Sequence, residues 1–476
     1  MEIQDFSQIK RIHLVGIKGI AMAAFALWAC EKGMNVTGSD TDEHFPSDAL
    51  LYDKHIDVLS GFDASHISKD YPPDCVVYTG AHKGRANVEV QQAIKLGIPV
   101  LAHGQALGIA MNPYHQISVA GSHGKTSTSS MISTVLMHAS YDPSYAIGCG
   151  EIRGLGAPGH AGNGELFVAE ADEYITDPLH DKTPRFLWQH PEYLVVTNID
   201  FDHPDAYENL EQVQDAFKSL QKKLTGKKVT IVNADDDKSC VLCTDIEGIT
   251  VLTYGESELS HYRIRDILYR EGETIFSLYV GGKKLGTITL HVPGLHNVSN
   301  AAACAVTCLA IGVPWSDIAS GLSLFGGAKR RFEPLAAAHG IQYFDDYAHH
   351  PKEIQATLQA ARGWFPSSRI IAVFQPHTYS RTKSLLSEFS LAFHDATIVV
   401  LADIYASARE SDTLGVSGEL VSEEIKKFHE KVYFSPKKDD VLKTLESIQK
   451  PGDVIIFMGA GDIYSWEPDI VKALIK

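Results

Sequence analysis

Gln116-Ile-Ser-Val-Ala-Gly-Ser-His-Gly-Lys-Thr-Ser-Thr128 is the stretch whose reading decides the fold. Ile117 to Ala120 has the length and branching of a buried parallel strand, and the residues from Lys125 to about Met137 read as a helix. The glycines therefore fall at a strand-to-helix turn, where backbone N–H groups and a helix N-terminus can receive a phosphate. Gly121 and Gly124 let the backbone come close, with only Ser122 and His123 between them. Lys125 would bridge terminal phosphates as a point charge, and Thr126 or Ser127 would offer a hydroxyl to Mg²⁺. An ordinary strand-turn-helix is the plainer alternative. A Gly-Lys-Thr that follows directly on a β run and opens a helix favours the phosphate.

Upstream, Arg11 to Ile17 reads as a strand that feeds an apolar helix, a dinucleotide-type opening. The pattern Gly16-x-Lys18-Gly19-x-Ala21 departs from the usual glycine fingerprint at two places. A diphosphate at the helix start, with Lys18 adding charge beside it, and a plain βαβ unit with an exposed lysine both stay open. A second strand ends at Val36-Thr-Gly-Ser-Asp40, where the carboxylate could hold a ribose or base edge. A third run, Cys75 to Tyr78, leads into Thr79-Gly-Ala-His82, and Met111-Asn-Pro-Tyr-His115 has the composition of a hinge.

Downstream, Leu166 to Glu173 is an apolar strand ending in carboxylates, and Tyr193 to His203 is another that ends in Asp-Phe-Asp-His. Ligands of open α/β sheets bind at the carboxyl ends of strands, and carboxylates with a histidine there can hold Mg²⁺. Taken singly, Glu173 and His203 are ordinary turn residues. His261 to Val292 alternates, with turns at Glu271-Gly-Glu273 and Gly281-Gly-Lys283, and reads as antiparallel hairpins added to the sheet. An Ala-rich helix starts after Pro293-Gly. Its Asn297 and Asn300 share a face, where amides could read an adenine or ribose, although N-capping by Asn297 is equally economical.

After Phe325-Gly-Gly-Ala-Lys-Arg-Arg-Phe332 the β/α alternation restarts. Strands are expected at Gln342 to Phe344, Arg369 to Phe374, Thr397 to Leu401, Lys431 to Phe434 and Asp453 to Phe457, in a doubly wound sheet. Polar clusters follow the strand ends at Asp345 to Pro351, Gln375 to Arg381, Tyr405 to Glu410 and Gly459 to Asp462. The pair His349-His350 suits either helix capping or metal ligation.

With 476 residues the chain is too long for one core, and its 44% hydrophobic and 21% charged residues are those of a globular protein. A net charge of -17 argues against nucleic acid or an anionic membrane as partner. No stretch reaches the length of a membrane span and no leader is evident, so a cytoplasmic protein without membrane insertion is expected. The seven cysteines suggest reduced thiols, and Cys240-Val-Leu-Cys243 lacks the second pair of a zinc site, which favours a helix-borne structural pair.

Taken in order, Gly-Ile-x-Gly-Ile, Gly-x-His-Gly-Lys-Thr, Glu-Ala-Asp-Glu, Asp-His, Gly-x-His-Asn-x-x-Asn-Ala, Arg-Arg-Phe, Asp-Asp-Tyr-x-His-His-Pro, Phe-Gln-Pro-His-x-Tyr-x-Arg-Thr, Asp-Ile-Tyr and Gly-Ala-Gly-Asp resemble the Mur ligases, ATP-dependent amide-forming enzymes of peptidoglycan synthesis. The resemblance implies an α/β protein of three domains: a Rossmann-like UDP-sugar domain (1–110), a central P-loop ATPase-like ATP domain with added antiparallel strands (111–326), and a Rossmann-like amino-acid domain (327–476) that closes over both. It implies that the lactyl carboxylate of UDP-N-acetylmuramate attacks ATP and that the amine of L-alanine captures the acyl phosphate. Gly16, Ile17, Lys18, Gly19, Ile20, Asp40, Thr79, Gly80 and Ala81 would meet the UDP-sugar. Gly121, Ser122, His123, Gly124, Lys125, Thr126, Ser127, Asn297 and Asn300 would hold ATP, with Asp346 on the ribose and Arg331 on the γ-phosphate or intermediate. Thr126 and Glu173 would hold one Mg²⁺ and His203 a second, with His296 near the reacting groups. Tyr347, His349, His377 and Arg381 would grip the amino acid, and a neutral His349 could help deprotonate its ammonium. A homodimer is allowed.

Departures from the family pattern are Lys18 and Ala21 for glycines, Ser122 and Ser127 for threonines, and Thr378 where many members carry Arg, which bears on recognition of the amino-acid carboxylate. No lysine stands out as the modified one that several Mur ligases place beside the metal. Two alternatives compete: the relative that recycles a whole tripeptide onto the same UDP-sugar, and a non-catalytic sensor of nucleotide and UDP-sugar.

Overall fold

The computed structural model describes residues 3–201, 206–244, 246–406, 410 and 412–475. These fall into two compact units, one drawn from Met1–Ile267, Ile275–Leu290 and Asn297–Ala328, the other from Leu268–Thr274, His291–His296 and Lys329–Lys476.

Among the described residues the first unit holds two large sheets and a two-stranded antiparallel pair, Ile175–Asp177 with Asp181–Pro184. Five parallel strands form the first, in the order Asp57–Ser60, Asn35–Asp40, Arg11–Val15, Cys75–Tyr78, Val100–Ala102. A ten-stranded sheet follows, in which His115–Ala120 lies between Tyr193–Val196 and Leu166–Ala171, parallel to both. These central strands are near-continuous apolar runs because helices cover both faces of such a sheet. Thr250–Gly255 pairs in parallel with Tyr262–Arg270, and Glu273–Val280 and Lys283–Leu290 extend the sheet from there, with turns where the alternation ended.

The helix Ile20–Glu31 is buried on every side from Met22 to Ala29. A helix that is apolar all round needs cover all round. One face lies on the first sheet's core, and Trp28 reaches Phe167 of the central sheet, with ring centroids 6.0 Å apart. Gly159 lies so close to this helix that a Cβ would come 2.0 Å from the carbonyl of Ala24. Continuous packing of this kind joins the first two sheets in one unit.

In the second unit, Ile341–Asp346, Asp453–Met458, Arg369–Phe374, Ile398–Leu401 and Val432–Phe434 are parallel in that order, and Glu333–Ala338 runs antiparallel along the edge. The edge strand is an addition to the expected arrangement. All seven cysteines are free thiols, and Cys240 belongs to the 3-10 turn Ser239–Leu242, with Cys243 just after it, rather than to an α-helix.

Candidate functional site

The phosphate-type turn is held by the strand beside it. Gly121 has φ 138° and leaves no room for a side chain, since a Cβ would lie 2.0 Å from Thr197 Oγ1. His123 N donates to Asn198 Oδ1 at 2.9 Å, while Thr197 Oγ1 and Asn198 Nδ2 donate to the carbonyl of His123 at 2.5 and 2.9 Å. Asp200 N donates to Ser122 Oγ at 2.7 Å. Thr197 and Asn198 escaped the sequence reading, although they stand at the end of the strand that pairs with His115–Ala120. Gly124, with φ 84°, opens the helix Lys125–His138. A Cβ there would meet Asn300 Oδ1 at 2.6 Å, so Asn300 reaches the loop it was expected to serve. Asn297 lies within the helix Leu295–Ile311 and accepts from Asn300 Nδ2 at 3.4 Å, which removes the N-cap alternative.

Lys125 Nζ donates to the carbonyls of Gly121 at 2.5 Å and Ser122 at 3.3 Å, and to Glu173 Oε2 at 2.9 Å. Burial pulls its ammonium down, but Glu173, Asp172 and Glu170 outweigh that and hold it above the ordinary lysine range. Lys125 therefore stays cationic.

The carboxylate beside Thr126 is Glu170 rather than Glu173. Glu170 accepts from Gly148 N at 2.8 Å and pairs with the Thr126 hydroxyl; burial pushes its carboxyl up, against Lys125 and Thr126. Glu170 thus adds an oxygen donor beside Thr126 to the expected set of Thr126 with Glu173. Glu173 belongs to Lys125, and its carbonyl accepts from Tyr207 Oη at 2.6 Å. His203 lies outside the described residues. Among the described residues no group of three His, Cys, Asp or Glu side chains is disposed to hold a metal.

In the first sheet, Gly16 N and Ile17 N donate to the carbonyl of Ser39 at 2.8 and 3.2 Å, and a Cβ on Gly16 would lie 2.4 Å from Thr79 Cγ2. The Gly16 loop and the Thr79 loop are thereby brought together, with Ile20 exposed at the helix start beyond Gly19. Asp40 is buried and accepts from Lys18 N and Thr41 N, both at 2.8 Å. Its carboxylate braces the loop. Lys18 Nζ donates to the carbonyls of Thr41 and Glu43, both at 3.0 Å, with Asp48 at 3.6 Å. The lysine that replaces a family glycine therefore latches the segment after Asn35–Asp40, and its charge is engaged there. Gly80 packs on Thr176, and Asp177 accepts from Arg85 N at 2.8 Å, tying the Thr79-Gly80-Ala81 segment to the strand Ile175–Asp177.

In the second unit, Tyr347, His349, His377 and Arg381 come together as expected. The rings of Tyr347 and His349 are 5.3 Å apart, those of His349 and His377 6.3 Å, and Arg381 Nη1 lies 3.4 Å from His377 Nδ1. Tyr405 stacks on His377 at 5.8 Å, a contact from another strand end that was not foreseen. Burial lowers the His349 pKa, with Arg381 and Arg331 adding to the effect against Glu353, which suits a neutral base. Burial also brings His296 down to about 4, helped by Arg331. His350 settles the histidine pair in favour of capping: it caps the helix Pro351–Trp364, with Pro351 at the first position and Glu353 completing the box. Thr378 has φ 65° and carries no cation.

Asp346, expected on the ribose, also has structural partners. Its Oδ2 accepts from Phe332 N at 2.8 Å, and its Oδ1 accepts from Ala348 N at 2.8 Å and Thr357 Oγ1 at 3.2 Å. The carboxylate ties the Arg330-Arg331-Phe332 turn to the strand Ile341–Asp346. A cavity of about 370 Å³ lined by Tyr269, Glu271, Gln342, Trp364, Phe365 and Asp453 lies at the amino ends of the strands, away from these polar ends.

The phosphate-type turn and the polar strand ends define a class: multidomain α/β enzymes that bind a nucleotide at a strand-to-helix loop. The chain matches the Mur ligase family catalytic domain over residues 11–115, the Mur ligase middle domain over 119–308, and the Mur ligase glutamate ligase domain over 330–461. It is 38% identical to a UDP-N-acetylmuramate–L-alanine ligase of Desulfitobacterium hafniense, covering 95% of this chain and 97% of that one. A protein of the same name from Lachnospira eligens is 40% identical over 98% and 99%. Among solved structures, a UDP-N-acetylmuramate-alanine ligase from Thermotoga maritima superposes with a TM-score of 0.81 at 28% identity, covering 97% and 98% of the two chains. A murein peptide ligase from Psychrobacter arcticus, at 24% identity and a TM-score of 0.71, covers 98% of each chain and shares the fold. The chain belongs to the Mur ligase family. It is an ATP-dependent, amide-forming ligase of peptidoglycan precursor synthesis. No described helix is long and apolar enough to cross a membrane.

Proposed function

We propose that this ligase joins L-alanine to UDP-N-acetylmuramate in the cytoplasm, with ATP and Mg²⁺, through an acyl phosphate. The observation that carries the reading is the turn Gly121 to Thr126, closed by Lys125 on Glu173 at 2.9 Å, in a chain similar along nearly its whole length to ligases of that name. A carboxylate is a poor acylating agent, and phosphorylation gives it a leaving group. Its oxygen attacks the γ-phosphorus, ADP departs, the amine attacks the acyl carbon, and phosphate leaves. Two anions must first meet, so cationic Lys125 and the loop N–H groups serve to hold the phosphates.

Thr126 and Glu170 are hard oxygen donors of the kind Mg²⁺ takes beside nucleotide oxygens. Bound there, Mg²⁺ would neutralise charge on the transferring phosphoryl group. We assign the three segments as in the family: 1–110 to the UDP-sugar, 111–326 to ATP and 327–476 to the amino acid. Gly16 to Ile20 and Thr79 to Ala81 face the UDP-sugar, Arg331 takes the γ-phosphate or intermediate, and Tyr347, His377 and Arg381 hold the amino acid while neutral His349 accepts its proton.

The expected result is phosphate release that requires Mg²⁺, UDP-N-acetylmuramate and L-alanine together, followed by colorimetric phosphate assay. Release with a cell-wall tripeptide and none with alanine would move the assignment to the recycling reaction. Folded protein that binds ATP and UDP-sugar and releases none with either acceptor would identify a sensor.

A further inference from the structure

In the second unit, Tyr464, Arg330, Tyr347 and Arg331 form a column. Arg330 Cζ lies 4.6 Å from the ring centroid of Tyr464 and 5.0 Å from that of Tyr347, and Arg331 Cζ lies 5.3 Å from the Tyr347 centroid. Such guanidinium–ring contacts are attractive and strengthen when water is excluded. Arg330 is 8% exposed and is held at every polar atom that matters to the turn. Its Nε donates to Asp345 Oδ2 at 3.2 Å and its Nη2 to the carbonyl of Gly459 at 2.6 Å. Its backbone N–H donates to Glu333 at 2.8 Å, and its carbonyl accepts from Tyr347 N at 2.7 Å. Arg330 and Phe332 both have left-handed φ, 62° and 47°, so the backbone on either side of Arg331 is strained and needs this anchoring.

Behind Arg330 lie two carboxyl groups, Asp345 and Glu467, 2% and 3% exposed. Asp345 Oδ1 and Glu467 Oε1 are buried and reached by no donor among the described residues, yet the two side chains are in hydrogen-bonding contact with each other. Two carboxylates cannot both accept. One of them must carry a proton, because like charges in a buried site cannot both ionise.

We propose that Asp345 and Glu467 share one proton, resident on Glu467, and that the resulting singly charged pair fixes Arg330 as a positioning residue for Arg331. The Arg330 guanidinium then meets a single charged carboxylate of the pair, Asp345. Burial, and then the facing Asp345, push the Glu467 carboxyl up to about 10, against the pull of Arg330. Burial raises Asp345 to about 6, opposed by Arg330 and reinforced by Asp346, with Glu333 also facing the pair. The purpose assigned to the column rests on the role proposed for Arg331 above. The shared proton does not.

The test is thermodynamic first. A carboxyl whose folded pKa lies above its unfolded value holds its proton in the folded chain while the unfolded chain has lost it, so stability falls as pH rises between the two values. For Glu467 that window runs from the ordinary glutamate value of 4.5 to about 10. Glu467→Gln mimics the protonated acid and removes this component. Denaturant unfolding of full-length wild type and E467Q between about pH 6 and pH 9 should show the ratio of folding constants, variant over wild type, rising about tenfold per pH unit. A flat ratio overturns the shared proton. For the positioning role, Arg330→Lys should lower kcat by about 10²-fold with KM for UDP-N-acetylmuramate unchanged, the effect of misplacing one group at the reacting centre. An R330K enzyme with wild-type kcat overturns it. Wild type inactive with alanine would overturn the proposed function alone, since the pH ratio is read without substrate.

Discussion

Replacing Lys125 with alanine is expected to lower turnover by about 10²–10³-fold, the scale for losing one preorganised electrostatic group at a phosphoryl-transfer site. The ammonium sits at the start of the helix Lys125–His138, directly over the loop whose carbonyls it engages. Among the described residues of this unit, Lys18 is engaged by Thr41 and Glu43, Arg185 pairs with Asp172 at 2.9 Å, and Lys238 pairs with Asp200. The substitution also leaves Glu173, 2% exposed, without its cation, which costs about 3–5 kcal/mol of stability by analogy with other broken buried pairs. Binding of the UDP-sugar by calorimetry separates the two effects. A folded K125A protein that binds UDP-sugar and turns over slowly supports the phosphate loop, whereas near-normal turnover would remove the assignment.

Glu170→Gln is the second large effect. With Glu170 beside Thr126, the amide should raise the Mg²⁺ concentration needed for half-maximal rate by about 10-fold or more and lower turnover at ordinary Mg²⁺, with partial recovery in excess metal. Glu173→Gln should behave differently, because its partner is Lys125: it weakens the ion pair and lowers kcat with little change in the Mg²⁺ requirement. The two residues are thus separated by one titration. If E173Q shifts the Mg²⁺ curve and E170Q does not, the metal belongs where the family pattern first placed it.

Why the sequence suggested Glu173 is a matter of position. Glu173 ends the burst Glu-Ala-Asp-Glu after an apolar run and stands where a loop would begin, whereas Glu170 is inside the strand Leu166–Ala171, opposite Val119 in the parallel register. A charge within an otherwise apolar central strand was the available signal, since such strands are buried on both faces. Asp346 was harder to read. It ends the strand Ile341–Asp346 and has the chemistry to hold a ribose, and two backbone N–H groups of nearby turns also donate to it. Local spacing does not reveal which donors a carboxylate meets when one of them, Phe332 N, lies 14 residues upstream.

The strands that read most clearly were those buried on both faces. Cys75–Tyr78 and Arg369–Phe374 have the bounds expected from their apolar runs. Asp57–Ser60 and Glu333–Ala338 gave no such signal, because edge strands need little apolar surface and these are largely uncovered. The His350 cap was written in the local pattern, His-Pro-x-Glu, and the structure needed only to choose between two uses of the same residue. Lys18 was not readable in this way. Its ammonium is held by carbonyls more than twenty residues away, whose position depends on how the chain leaves the strand Asn35–Asp40.

In the proposed reaction the loop at Gly121 to Thr126 directs the γ-phosphate of ATP onto a carboxylate, one oxygen of which departs with the released phosphate while the acyl group stays on the sugar. UDP-N-acetylmuramate carrying a heavy oxygen isotope in its lactyl carboxylate tests this directly, with mass spectrometry of the phosphate released in the presence of ATP, Mg²⁺ and L-alanine. Transfer of a single carboxylate oxygen into phosphate is the predicted result. Amide formation with phosphate that carries no label, the second heavy oxygen having gone to water, would contradict it.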